Sequence, residues 1–447
     1  MLAALLLALS LLAPALARAQ GQKIIRDAEI EGIIRGYATP LFQAAGLSPQ
    51  SIDVYLIQDR SLNAFVAGGQ NMFIHTGLLM RADDPLEVIG VLAHETGHIT
   101  GGHIAGRVGE MEKAQMTALA SYLLGIGAAL ATGRPEAAAA VISGGQDIAL
   151  KGLLTYTRGQ EQAADQAAVR LLNGTGQSPR GLLEFMDILG DQEVLLASSQ
   201  DPYLRTHPLT QDRIMFLEDA LAKSRYADAP PSPGLVAGHA RIRAKLIGFL
   251  EAPVRVFRTY PETDDSVPAR YARAIAYFRR PDLDKALPLM DGLLAESPDD
   301  PFFHEIKGQM LFENGRIAEA LPQYLTAVDL LPETPQLRLA LAQVQIELDT
   351  REQDRAALDQ LAQVLRHEPR NAFAWRLMAI AHGRLGDKGM TSLALAEGAL
   401  ARGRAAEARD QATRAQRLLA ENTPSWLRAQ DVAELAKQLE ARQKKNN

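Results

Sequence analysis

The chain has 447 residues, 47% hydrophobic and 22% charged, which excludes a disordered polymer and gives room for two or three globular domains. A net charge of −6 with dispersed basic residues excludes the electrostatic footprint of a nucleic-acid binder, and the stretch from Arg402 to Lys445 is mildly basic helix surface. The absence of cysteine removes disulfides, thiolate metal ligands and a cysteine nucleophile.

In chain order, Met1 to Ala19 reads as a secretory signal, with an apolar core through Leu12 and small-residue cleavage sites at Ala15-Leu16-Ala17 and Ala17-Arg18-Ala19. No basic residue precedes the core and the segment is short for a membrane span, so cleavage and retention as an anchor both stay open. Ile24 to Ala45 has helical spacing. Ile52 to Ile57 and Ala64 to Ile74 alternate enough to predict two or three short strands. The edge of that sheet either pairs with an extended substrate backbone or is plain scaffold.

Asp83-Asp84-Pro85-Leu86-Glu87 predicts a helix start, with Asp84 as N-cap, proline where its missing N–H costs nothing, and Glu87 placed for a capping box. Leu86, Ile89, Val91 and Leu92 supply its apolar side, and Gly101-Gly102 a stop. About two turns in stands His94-Glu95-Thr96-Gly97-His98. Side chains four apart share a helix face, so His94 and His98 can present two imidazole nitrogens to one zinc ion. Glu95 is then placed beside the metal, to take a proton from the attacking water and hand it to a leaving amine. An open fourth position requires a third protein ligand. His103 comes one place too early for the metzincin spacing, which disfavours it.

Thr117 to Ala131 and Ala137 to Ile148 form an apolar hairpin of arms too short to span a bilayer. It reads as packed helices between the two ligand-bearing helices, with contact to membrane or substrate as the alternative. Beyond it, Glu161 and Asp165 share one face of an alanine-rich helix. Alone they would be an ordinary solvated face. Beside His94 and His98, Glu161 becomes the third ligand and Asp165 the carboxylate that orients a ligand histidine. His207 and Arg213 are candidates to stabilise the oxyanion formed when hydroxide attacks a peptide carbonyl. His207 supports a second role, because a neutral imidazole folded inward would occupy the fourth metal position and make the enzyme latent until a partner releases it.

Ala227 to Gly234 shifts to turn formers, marking a linker or a surface loop. Repeats follow. Pro298 and Pro332 each close a helix pair of tetratricopeptide type. In the unit Pro301 to Thr334, the small Gly308, Ala320 and Ala327 and the large Leu311 and Tyr324 stand where two helices must interlock, with Ala274, Tyr277 and Ala286 corresponding in the unit before. Pro369 falls late, predicting a lengthened turn around Asp349 to Gln353, and Ala372 to Leu419 is a looser unit. The expectation is about four units, with Trp426 to Leu439 as a capping helix. Such stacks hold protein or peptide partners.

These residues resemble the M48 family of zinc metalloproteases, in which a His-Glu-x-x-His helix is followed by a Glu-x-x-x-Asp helix. His94, Glu95, His98, Glu161 and Asp165 match one for one, His103 matches a further family histidine, and Asn63 to Leu79 and Thr206 to Arg213 are similar to flanking family segments. The likeness covers roughly residues 50 to 216. The domain order resembles exported bacterial members that fuse the protease to tetratricopeptide repeats. The resemblance implies a mainly α protein: a zincin-like α+β metalloprotease domain with a small sheet, then an α-solenoid. The expected division is a signal at 1–19, a protease domain at 20–260 with the turn-rich stretch near 227–234, and repeats at 265–440. It implies one Zn2+ per chain and a periplasmic endopeptidase. Its expected targets are protein substrates such as misassembled outer-membrane proteins, with the outer-membrane assembly machinery contacted through the repeats. The competing reading is a periplasmic chaperone or assembly factor whose protease site is latent or secondary. An exopeptidase would need a pocket for a terminal charge, and no residues for one are identifiable.

Overall fold

A computed structural model describes residues 24–67, 70–103, 157–193, 203 and 207–446; the expected signal segment and the expected apolar hairpin fall outside the described residues. The chain forms two compact units divided at Leu246/Ile247. Among the described residues no helix is long and apolar enough to cross a membrane.

The first unit is built around a four-stranded sheet of β1 (Ile24–Ile25), β2 (Val54–Ile57), β3 (Ala64–Ala67) and β4 (Asn71–His75), ordered β1-β2-β4-β3. β4 runs parallel to β2 and antiparallel to β3, which leaves β3 at an edge. The predicted helix from Ile24 begins later, as α1 (Ala28–Ala44). Asp27 caps it by accepting from the Ile30 N–H, while Ile24 and Ile25 pair with Ile57 and Leu56 instead. Asp27 and Glu29 in turn bind buried Lys245, at 2.8 and 3.1 Å, and tie α1 to α7 (Pro233–Leu250). One sheet face carries Leu56, Met72 and Ile74 into the core, and the other stacks Tyr55, Phe73 and Phe65 across three strands.

After the short α2 (Thr76–Arg81) comes α3 (Pro85–Thr100), whose capping box between Asp84 and Glu87 forms as the sequence predicts and whose C-cap is Gly101. Every residue from Pro85 to His98 is buried, as expected of a helix enclosed on all sides. Burial pushes the Glu87 carboxyl up to about 6, although the Asp83 and Asp84 N–H groups donate to it. A raised folded-state pKa stabilises the fold below the ordinary carboxylate value, and that contribution is lost as pH rises through 6. Glu87→Gln keeps the capping acceptor without the charge. It is therefore expected to melt higher than the parent at pH 7.5, with the gap closing toward pH 4.5; a gap independent of pH in thermal melts would refute this.

A helix over residues 157–174, here α4, is followed by α5 (Arg180–Glu193) and α6 (Gln211–Lys223). The turn-rich stretch near 227–234 is a surface loop of the first unit: the Ala227 carbonyl accepts from Ser178 Oγ at 2.8 Å and from Arg180 at 3.0 Å.

The second unit takes in the last turn of α7 together with α8 (Pro253–Thr259) and continues as helix pairs: α9 (Val267–Arg279) with α10 (Leu283–Glu296), α11 (Pro301–Glu313) with α12 (Ile317–Leu330), α13 (Pro335–Glu347) with α14 (Arg351–His367), and α15 (Ala372–Leu385) with α16 (Lys388–Ala401). This is an α-solenoid of tetratricopeptide type. Gly308, Ala320, Ala327, Leu311 and Tyr324 meet as predicted, and a Cβ at Gly308 would lie 2.9 Å from the Tyr324 ring. The predicted long turn at Asp349 is not observed. Asp349 takes φ +52, the left-handed position that Gly315 holds at +77 one repeat earlier, and both turns have the same length. The extra residues lengthen α14 to 17, against 14 in α12, because Leu361, Val364 and Leu365 carry its buried face to the end. The loose unit after Ala372 is a regular pair followed by α17 (Ala405–Leu418), which packs on the closing helix α18 (Pro424–Asn446) through alanines including Ala412, Ala415 and Ala408. At 23 residues α18 is longer than the cap read from sequence.

Candidate metal centre

α3 presents His94 and His98 on one face, and α4 brings Glu161 against them. This needs close approach of the two helices, and Gly97 permits it: a Cβ there would lie 2.8 Å from the Ala164 carbonyl oxygen. His94 Nε2 stands 3.1 Å from His98 Nε2 and 3.3 Å from Glu161 Oε2, and His98 Nε2 is 3.5 Å from Glu161 Oε1. With metal–ligand bonds of about 2.0–2.1 Å, a tetrahedron has edges of roughly 3.3–3.4 Å. The three donors therefore have the spacing of one face of a tetrahedral metal site. His207 joins from the segment before α6, with Nδ1 3.0 Å from Glu161 Oε2, and the four donors lie within 4.8 Å of one another, all buried.

Asp165, one turn beyond Glu161, places Oδ1 2.8 Å from His94 Nδ1. A carboxylate only accepts, so the proton sits on Nδ1 and Nε2 faces the site as a lone pair. Aimed at Glu161, that lone pair requires a proton or a cation between them. The electrostatics agree. Burial opposes charge on His94, but Asp165 and Glu161 outweigh it and raise its pKa to about 9. Glu161 is held below its ordinary range by His207 and His94 against the opposing effect of burial. His98 is pushed down by burial and by the neighbouring His94. The donor set fits a divalent cation.

Each sequence-singled residue lies at this centre. Glu95 is 1% exposed, with Oε1 3.6 Å from His207 Nε2. Arg213, expected as an oxyanion group, clamps Asp165 with two hydrogen bonds of 2.6 and 2.9 Å, donates to the Pro208 carbonyl at 3.0 Å, and stands 3.3 Å from Glu161. Burial works against the Asp165 charge, and the Arg213 guanidinium overcomes it, lowering the pKa. His103 places Nδ1 2.9 Å from His98 Nδ1, the partner of a ligand and not a ligand itself. Two features escaped the sequence reading. Gly97 sets the helix spacing, and Tyr203, fully buried, stacks on His207 with ring centroids 4.4 Å apart. No local pattern marks a tyrosine whose partner is made by packing.

Residues 25–221 match the sequence model of Peptidase family M48. The chain is 30% identical to a putative beta-barrel assembly-enhancing protease of Vibrio cholerae serotype O1, over 63% of this chain and 58% of that protein. It is 27% identical to the beta-barrel assembly-enhancing protease of Yersinia pestis, over 77% and 70%, and 25% identical to that of Escherichia coli strain K12, over 85% and 77%. The alignment with the Vibrio protein thus spans less than two thirds of that relative's length.

Proposed function

From the match of residues 25–221 to Peptidase family M48, we propose that this chain is an exported zinc endopeptidase serving outer-membrane protein assembly or quality control, with its repeats recruiting partner or substrate. The observation that carries the reading is the buried convergence of His94, His98 and Glu161 at tetrahedral spacing beside Glu95. Zinc held there supplies Lewis acidity, polarising a peptide carbonyl and lowering the pKa of water. Glu95 accepts the proton of the attacking water and returns it to the departing amine. Asp165 fixes the His94 tautomer, and Arg213 fixes Asp165. The periplasmic address is supported by the signal-like first 19 residues, and the assembly role by the printed names of the relatives. Chelation should abolish casein cleavage and added zinc restore it, with about one zinc per chain in the active protein; cleavage indifferent to chelator would end the reading.

His207 serves as the latch in this proposal. It occupies the fourth side of the donor set, near Glu95, and is held by the Tyr203 stack and by Arg213 bonding to the adjoining carbonyl of Pro208. His207→Ala should cleave casein or itself several-fold faster than the parent. A slower variant would make His207 a group that assists the reaction. A chaperone or assembly role independent of cleavage remains the second reading, favoured by the large share of the chain given to repeats.

A further inference from the structure

The second unit contains a cavity of about 370 Å³ lined by the end of α16, by one side of α18 from Arg428 to Arg442 and by the turn that joins α14 to α15. Its α18 wall lies along α17 as far as the turn before that helix. This half of α18 is held by Arg409 to Glu440 at 2.9 Å and by Gln443 donating to the Gly403 carbonyl at 3.0 Å. The opposite wall is fixed by Trp375 Nε1 donating to the Pro369 carbonyl at 2.9 Å, which sets the turn carrying Arg370.

The lining joins two chemistries. Pro369, Leu400, Leu435 and Leu439 form an apolar floor, on which Leu435 is 44% exposed. Three arginines and one glutamate border it, and that glutamate, Glu397, is buried and neutralised by both ends of the Arg428 guanidinium. Arg370 and Arg442 form no ion pair among the described residues and leave the cavity with unbalanced positive charge. A ligand that suits this lining carries an anion and an apolar group side by side. Phosphate alone would leave the floor wet, and an internal acidic side chain places its charge on a different residue from the apolar group. The last residue of a polypeptide has both on one Cα. The cavity is also near the lower end of the range for ligand sites, room for one or two residues.

We propose that this groove captures the free C-terminal carboxylate of an extended polypeptide whose last side chain is apolar, with Arg370 and Arg442 taking the carboxylate. The proposal rests on the reading that the repeats hold proteins, and gives that reading a specific site.

The test uses the full chain as Glu95→Gln, so that probes are not cut. Fluorescence anisotropy is measured with an N-terminally labelled ten-residue Gly/Ser peptide ending in leucine, as free acid and as C-terminal amide. A third probe is an amidated peptide with an internal aspartate beside the leucine. The free acid should bind about tenfold or more tighter than either amide, the loss expected when a charge-assisted hydrogen bond is removed. The double reversal Arg370→Glu/Arg442→Glu, at exposed positions, should erase the preference without changing the melting temperature. Equal binding of acid and amides, or a preference that survives the reversal, overturns the proposal. Retention of unfolded casein by the same full-length Glu95→Gln protein, and by its Arg370→Glu/Arg442→Glu version, is scored in parallel. If casein is held without any acid preference, the groove fails and recruitment stands; if neither casein nor peptide is held, both fail.

Discussion

Glu95→Gln is expected to lower the turnover of casein by about 10²–10⁴-fold, the usual share of general acid–base catalysis, while the protein keeps its metal and its fold. Glutamine is nearly isosteric with glutamate and cannot take a proton from water. Glu95 is not among the four donors that converge at the centre, so metal content should stay at the parent level. Turnover is measured with metal content on the same preparation. An unchanged rate removes Glu95 from the chemistry, whereas lost metal assigns it to holding the ion. The variant also separates the two readings of the whole chain: an assembly phenotype that persists in cells expressing Glu95→Gln belongs to the repeats and not to hydrolysis.

Arg213→Met should be the most destabilising single change at the centre. Arg213 is 2% exposed and Asp165 is fully buried, so removing the guanidinium leaves a carboxylate in the interior with only His94 as partner among the described residues. Breaking a buried pair from one side costs about 3–5 kcal/mol. Denaturant unfolding should register that loss, and metal affinity should fall with it, because Asp165 orients His94. A lysine at the position restores charge but not the two-pronged geometry, so Arg213→Lys should recover part of the stability. This outcome makes Arg213 a positioning residue. Should Arg213→Met instead keep its stability and metal affinity and lose only turnover, the guanidinium acts on the reacting carbonyl, as the sequence reading allows.

The distribution of these roles shows how much the sequence carried. The helix bearing the two histidines was readable in detail because its signals are local: a capping box four residues long, a proline at the first turn, and two histidines at the spacing of one helical turn. Glu161 and Asp165 were readable by the same periodicity once the histidine pair gave them something to face. The repeats declared themselves through small and large residues at fixed offsets, where Gly308 meets Tyr324. The same logic failed at Asp349, where a late proline indicated a longer turn and the extra residues entered the following helix. Proline spacing records how many residues a repeat contains and not where they are placed.

Sequence alone determined the candidate metal ligands, their helical presentation and the two-part plan, because capping, periodicity and repeat length act over a few residues and leave their mark in order. Tertiary structure decided the rest. It turned Arg213 toward Asp165, set His103 behind His98, stacked Tyr203 on His207, and closed the gap between α3 and α4 at Gly97 so that Glu161 comes within 3.5 Å of both histidines. Each of these depends on how closely packed helices approach, a distance summed over many side chains and written in no single stretch of the chain.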